Sequence, residues 1–231
     1  MEDKILDYGD VLLRRQDALL LLDQNWLNDQ VIGFFFEYLA REAFPGLAPR
    51  LLLIPGSAAY LLACLGANGG GAAVVLEPHG FPARTQLALF AVNNNPDATA
   101  AGGGSHWSLL AWSAADGAFR HYDSMAGSNV GAARRVADAA AAALPGRARA
   151  RVLEQRGPQQ QNAFDCGVYV LALARLLAAR HAADGPSISF EVAPDAVSPA
   201  DVTAVRQEVY ALIASKAAAA GTAGGLPPPG S

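Results

Sequence analysis

Cysteine is almost missing from this chain: 231 residues hold two, Cys64 and Cys166. Thiols so few and so far apart build no disulfide framework, and they fit a reducing compartment. Charge is thin as well, at 16% of residues, with 17 basic against 21 acidic side chains and a net charge of -4. No basic cluster stands out, which removes the electrostatic footing for nucleic acid. The start, Met1-Glu2-Asp3-Lys4, has neither the basic region nor the apolar run of a secretion signal, so a cytoplasmic or nuclear location is expected. Leu51 to Leu76 carries no charge, but Pro55, Gly66, Asn68 and Gly69-Gly70-Gly71 break it. It reads as a buried helix plus a loop rather than a membrane span. No Cys/His spacing suits zinc. Gly102-Gly103-Gly104 is not followed by a helix opening on Lys-Ser/Thr, which argues against a phosphate loop. No cofactor is implied.

Apolar residues are plentiful, at 52%, although many are alanine. The length suits one medium domain with a single core, here residues 1–216, ahead of an Ala/Gly/Pro-rich tail at 217–231 expected to be disordered. Asn28 is a good N-cap for a helix from Asp29 to Ala40, stopped by Pro45-Gly46. Gln86 to Asn94 reads as a strand, followed by a loop from Asn94 to Gly104 that has little to bury and is a candidate lid. Two more strands, Ser105 to Ser113 and Ala118 to Met125, flank the hairpin signal Asp116-Gly117. Ser128 is the expected cap of an alanine-rich helix over Ala132 to Leu144, and Arg149 to Glu154 reads as a short strand. Cys166 opens a helix to about Arg180, apolar on nearly every face and so expected at the centre. Ser198-Pro199-Ala200-Asp201 starts the last helix. Helices at both ends with strands between them give the class α+β.

One segment carries chemistry. Gln159-Gln160-Gln161-Asn162-Ala163-Phe164-Asp165-Cys166-Gly167 sets a lone thiol at a helix mouth. There, roughly half a positive charge and free N–H groups favour thiolate, the nucleophilic form. A free thiol with a pKa of about 8.5 still needs a base nearby. His106 is the best candidate, since it begins a strand beside the flexible loop; His121 lies mid-strand with the parity of Asp123, so it could also reach that face, and His79 and His181 sit in expected surface segments. With an even-numbered hairpin loop, even positions on the first strand share a face with odd positions on the second. That brings Asp123 to the imidazole, where a carboxylate holds the tautomer and steadies the cation. A glutamine ahead of Cys166 and the Cys166 N–H can serve a developing oxyanion, and three adjacent glutamines leave that choice open. The bland readings are an inert buried thiol, structural histidines and tryptophans in the core. Cys64, in Leu61-Leu62-Ala63-Cys64-Leu65, keeps the inert buried reading.

Four blocks resemble the ubiquitin-like-protein-specific cysteine proteases, which include the SUMO proteases and the deneddylase. They are Trp26-Leu27-Asn28-Asp29, Gly104-Ser105-His106-Trp107-Ser108-Leu109-Leu110, His121-Tyr122-Asp123-Ser124 and Gln160 to Gly167. The resemblance runs from about Tyr8 to the last helix, and its order His, Asp, Gln, Cys is highly specific. It implies a papain-like α+β fold, a mixed sheet flanked by helices with the nucleophile at the start of a buried central helix. It makes His106 the base, Asp123 its orienting acid and Cys166 the nucleophile. Family spacing selects Gln160 for the oxyanion hole and leaves His121 outside the catalytic set. Family substrates end in Gly-Gly, threaded through a tunnel roofed by two indoles, and Trp26 and Trp107 match those positions. Asp29 and Asn93 match residues that hydrogen-bond the tail backbone. Leu12-Leu13-Arg14, Ile32-Gly33-Phe34, Phe90-Ala91-Val92-Asn93 and Ala101-Gly102-Gly103 are most similar to the deneddylase branch. The implied partners are the modifier of the neddylation pathway and its conjugates, such as cullins, handled by a monomer. The rivals are a SUMO-specific protease, a catalytically silent modifier-binding module and an acetyltransferase on a related fold.

Overall fold

In a computed structural model the described residues are 4–22, 24–66, 70–95, 103–146, 149–222 and 226–227. The chain enters through an antiparallel hairpin, β1 (Lys4–Tyr8) and β2 (Val11–Arg14). A short helix, α1 (Arg15–Leu19), follows directly. Then comes α2 (Asp29–Tyr38), capped as expected: Asn28 Oδ1 accepts from the Val31 N–H at 3.1 Å. A turn of π-helix, Leu39–Ala43, prolongs α2 before Pro45.

The uncharged stretch from Leu51 departs from expectation. Its first residues form β3 (Leu51–Ile54), ended by Pro55, and only then does α3 (Gly56–Leu65) begin. A second short helix, α4 (Gly70–Val75), follows. A four-residue apolar run has no period that separates strand from helix, and pairing with a neighbour decides it. That neighbour is β4 (Leu87–Asn93), in parallel register with β3. β5 (Trp107–Ser113) and β6 (Phe119–Tyr122) form the expected antiparallel hairpin. Next comes α5 (Val130–Ala141). Its N-cap position is Asn129, not Ser128, and no side chain makes a cap bond there. β7 (Val152–Gln155) pairs parallel to β6. The chain ends in the long α6 (Cys166–Asp184) and α7 (Pro199–Ala219). Ser198 and Asp201 form a reciprocal capping box at the start of α7.

The main sheet runs β3-β4-β5-β6-β7, mixed in direction, with helices against both faces, so the α+β class holds. Alternation along β4 shows why both faces need cover. Leu87, Leu89 and Ala91 pack with α2, α6 and α7, whereas Ala88, Phe90 and Val92 pack with α3, α4 and α5. One helix, Cys166–Ser187, is long and apolar enough to cross a membrane among the described residues, but most of it is buried inside the fold.

Three smaller expectations are corrected. Cys64 is exposed, because it lies on the outer side of α3. His181 is buried, its Nδ1 hydrogen-bonded to the Gly185 carbonyl at 2.7 Å. The tail does not come apart at 217: α7 continues through Ala219, Ala217 is buried, and the Tyr210 hydroxyl donates to the Pro227 carbonyl at 2.5 Å. The expected disorder of 223–225 and 228–231, and residues 96–102 of the lid, lie outside the described residues.

Candidate active site

The β5–β6 hairpin does what its loop length predicts. Leu109 pairs with Tyr122 and Leu110 with His121, so even positions face odd ones. His106 and Asp123, just beyond the strand ends, therefore fall on one side. His106 Nε2 lies 2.6 Å from Asp123 Oδ1. Asn94 holds the backbone at this point, its Oδ1 accepting from the N–H groups of Ser105 at 2.7 Å and His106 at 3.1 Å. Gly104 has a positive φ of 92°, and a β-carbon there would strike Asn93 Oδ1 at 1.9 Å, so only glycine fits.

The carboxylate of Asp123 accepts three bonds. Besides the imidazole, Oδ1 takes the Met125 N–H at 3.0 Å and Oδ2 takes the Asn129 N–H at 2.9 Å. Burial opposes its charge, but these bonds outweigh burial and hold the carboxyl below its ordinary range. The same contest at His106 ends in favour of the cation. Burial pushes the imidazole down, while hydrogen bonds and charge from Asp123 and Cys166 lift it to about 9. With Nε2 given to Asp123, Nδ1 is the nitrogen left for the sulfur.

Cys166 is the first residue of α6, next to the N-cap Asp165. First-turn N–H groups have no acceptor within their helix. Cys166 is 1% exposed, yet it is part of the wall of a cleft of about 400 Å³. The same cleft is lined by His106, Trp26, Trp107, Asp29 and Asn93, so six of the eight predicted site residues meet there. Trp107 is buried and donates from Nε1 to the Leu27 carbonyl at 2.9 Å. Trp26 is 48% exposed, against the default of a core indole, and its Nε1 reaches the Ala163 carbonyl at 2.6 Å. The two indoles are thus tied to the two segments that flank the thiol.

Asp123 stands behind His106, outside the lining. Gln160 also lies outside it and is held on the turn after Asp123. Its N–H donates to the Ser124 carbonyl at 2.8 Å, its Oε1 accepts from the Ser124 hydroxyl at 2.7 Å, and its Nε2 donates to the Asn162 carbonyl at 2.6 Å. One amide hydrogen of Gln160 remains uncommitted by these bonds. His121 is fully buried between Glu154 and Ser108 and does not line the cleft. Ser57 and Tyr60 line the cleft without any sequence signal that pointed to them. Asn94 and Asn129 also went unnoticed, because an asparagine beside a strand or helix end reads as ordinary turn chemistry.

A buried imidazole bonded to a carboxylate, in one cleft with a helix-mouth thiol, is equipped to make a thiolate–imidazolium pair and attack a carbonyl. Comparison with known proteins agrees. The Ulp1 protease family's C-terminal catalytic domain matches residues 100–219. Sentrin-specific protease 8 of Rattus norvegicus is 37% identical over 172 residues, 74% of this chain and 77% of that protein. NEDD8-specific protease 1 of Arabidopsis thaliana is 31% identical over 220 residues, 92% of this chain and 93% of that one. In structure, the SUMO protease Ulp1 with its catalytic cysteine oxidized to a sulfenic acid superposes with a TM-score of 0.68 at 18% identity, covering 93% of this chain and 89% of that chain. The last likeness speaks for the fold, the papain-like α+β arrangement.

Proposed function

We propose that this chain, which belongs to the Ulp1 protease family and is a cysteine peptidase for ubiquitin-like modifiers, is a deneddylase. It releases the neddylation modifier from lysines of conjugates such as cullins, and trims the modifier's precursor. It acts as a monomer in the cytoplasm or nucleus. Asp123 orients His106, and His106 holds the proton given up by Cys166. The thiolate attacks the carbonyl of the modifier's last glycine. The Cys166 N–H and the free amide hydrogen of Gln160 receive the oxyanion. His106 then protonates the leaving amine, and water hydrolyses the thioester, which returns the thiol. Trp26 and Trp107 enclose the tail, where residues without a β-carbon pass between close rings. Asp29 and Asn93 hydrogen-bond its backbone, so positioning comes from the cleft and affinity from the folded modifier.

The observation that carries the peptidase chemistry is His106, bonded to Asp123 at 2.6 Å, in one cleft wall with Cys166. What supports the choice of modifier is the match to a relative named for NEDD8 over nearly the whole of both chains. The test is a set of probes with a C-terminal electrophile on the neddylation modifier, SUMO or ubiquitin. Labelling of Cys166 by the first is expected, and labelling by SUMO alone overturns the modifier assignment. A Cys166→Ala variant should bind the modifier and turn over nothing, and retained cleavage would remove Cys166 as nucleophile.

A further inference from the structure

The side of the sheet away from α6 holds a second, unbroken set of polar contacts. Asn129 gives its backbone N–H to Asp123 Oδ2 at 2.9 Å. Its side-chain Nδ2 donates to the Val92 carbonyl at 3.0 Å and to Ser108 Oγ at 2.8 Å. Ser108 Oγ lies 2.9 Å from His121 Nε2, and His121 Nδ1 lies 2.7 Å from Glu154 Oε2. Asn129, Ser108 and His121 are all buried.

Donor accounting gives this line one direction. The Glu154 carboxylate only accepts, so His121 Nδ1 carries a hydrogen, and in the neutral ring Nε2 accepts. Ser108 receives the Asn129 amide hydrogen and sends its own to His121 Nε2. Asn129 sits at the N-cap position of α5, where an asparagine normally turns its Oδ1 onto the helix. Here it makes no such bond, and Oδ1 is left buried without a partner among the described residues. A helix that forgoes its cap and strands a buried acceptor gains no stability from either. Its amide is committed instead to strands β4 and β5, which fixes where the Asn129 N–H points.

We propose that Asn129, Ser108 and His121 form a positioning relay that aims the Asp123 carboxylate at His106. None of the three lines the cleft or touches the thiol. They are positioning residues, acting through Asp123. Among the described residues, Asp123 and Cys166 face His106 with Asp29 and Tyr60 also in the cleft, and Glu154 faces His121. The inference rests on the thiol-peptidase reading for its catalytic consequence, but not for its geometry.

The test compares the full chain with Ser108→Ala, a change that removes only the hydroxyl, and with Asn129→Ala. The imidazole of His106 is titrated by NMR, and kcat/KM on a fluorogenic neddylation-modifier substrate is followed against pH, normalised to reactive Cys166. Wild type should titrate at about 9. In both variants the midpoint and the alkaline limb should fall by about one unit, with kcat at alkaline pH down about tenfold and KM unchanged. A loss of folded protein alone lowers the active fraction and moves neither midpoint. If Asn129→Ala does not fold, Ser108→Ala decides. An unmoved His106 midpoint in folded Ser108→Ala overturns the relay. Should wild type cleave nothing while the midpoint still moves, the peptidase reading fails and the relay stands.

Discussion

The indole of Trp107 lies against Gly56, so close that a β-carbon at position 56 would stand 2.5 Å from Cζ3 and 2.6 Å from Cη2 of the ring. Gly56 is the first residue of α3, and Trp107 is also held by its bond to the Leu27 carbonyl. The cleft wall is therefore set by a contact with bare backbone. Gly56→Ala must push the indole aside, although alanine favours the helix itself. A displacement of that size in a positioning wall costs about 100-fold in kcat/KM. Steady-state kinetics on a modifier substrate, beside thermal unfolding, should show lost activity without a matching loss of Tm. Unchanged kinetics would mean that the indole does not touch the tail.

The pH behaviour follows from His106. Burial lowers its affinity for the proton, but Asp123 and Cys166 raise it to about 9. The imidazolium should persist through neutral pH, and kcat/KM should fall as pH rises through about 9. Stability carries the same sign. The unfolded histidine titrates at about 6.5, so between that value and the folded one the native state holds the extra proton. This contribution is full below the lower value and is lost as pH climbs through the upper one. Urea midpoints measured across the window should decline with pH, and His106→Gln should flatten that slope.

Much of this site was legible, for reasons that differ between residues. Asp116-Gly117 sets the hairpin, and the hairpin's parity puts His106 and Asp123 on one side. Phe164-Asp165-Cys166-Gly167 marks a helix start because the polar run stops there and the apolar run begins. Asn129 was not legible, because its partners Val92 and Ser108 come from strands far away in sequence. Leu51–Ile54 was not legible as a strand, since a short apolar run carries no period, and neither was the hairpin of β1 and β2. The exposure of Cys64 was not legible for the opposite reason. Its neighbours are so uniformly apolar that no stripe shows which side of α3 faces out.

Gln159 and Gln160 both attach to the turn after Asp123, and mutation separates them. Gln159 donates to the Asp123 carbonyl at 3.0 Å and accepts from the Ala126 N–H at 3.1 Å, so its amide is engaged at both ends. Gln160 keeps one amide hydrogen uncommitted among the described residues. Gln160→Ala should lower kcat by about 100- to 1000-fold, the usual cost of one oxyanion donor. Gln161, which is exposed, should be indifferent to the same change. Pre-steady-state acylation rates measure this directly. A larger loss in Gln159→Ala than in Gln160→Ala would transfer the oxyanion role to Gln159.

Arg206, from the middle of α7, reaches both sides of the thiol. Its Nε donates to Asp165 Oδ1 at 2.8 Å, and its Nη2 to the Asn25 carbonyl at 2.7 Å. Nη1 donates to the Leu20 carbonyl at 2.9 Å. One planar fork thus joins the segment that leads to Trp26 and the N-cap of the helix that bears Cys166. Arg206 and Asp165 are both buried, so removing the cation leaves a carboxylate without its counter-charge. Arg206→Ala should cost about 3–5 kcal/mol of stability in denaturant unfolding. Arg206→Lys keeps the charge and loses the fork geometry, so it should fall between the two. If Arg206→Ala unfolds within about 1 kcal/mol of wild type, which is the scale of an exposed pair, then α7 does not hold these segments together.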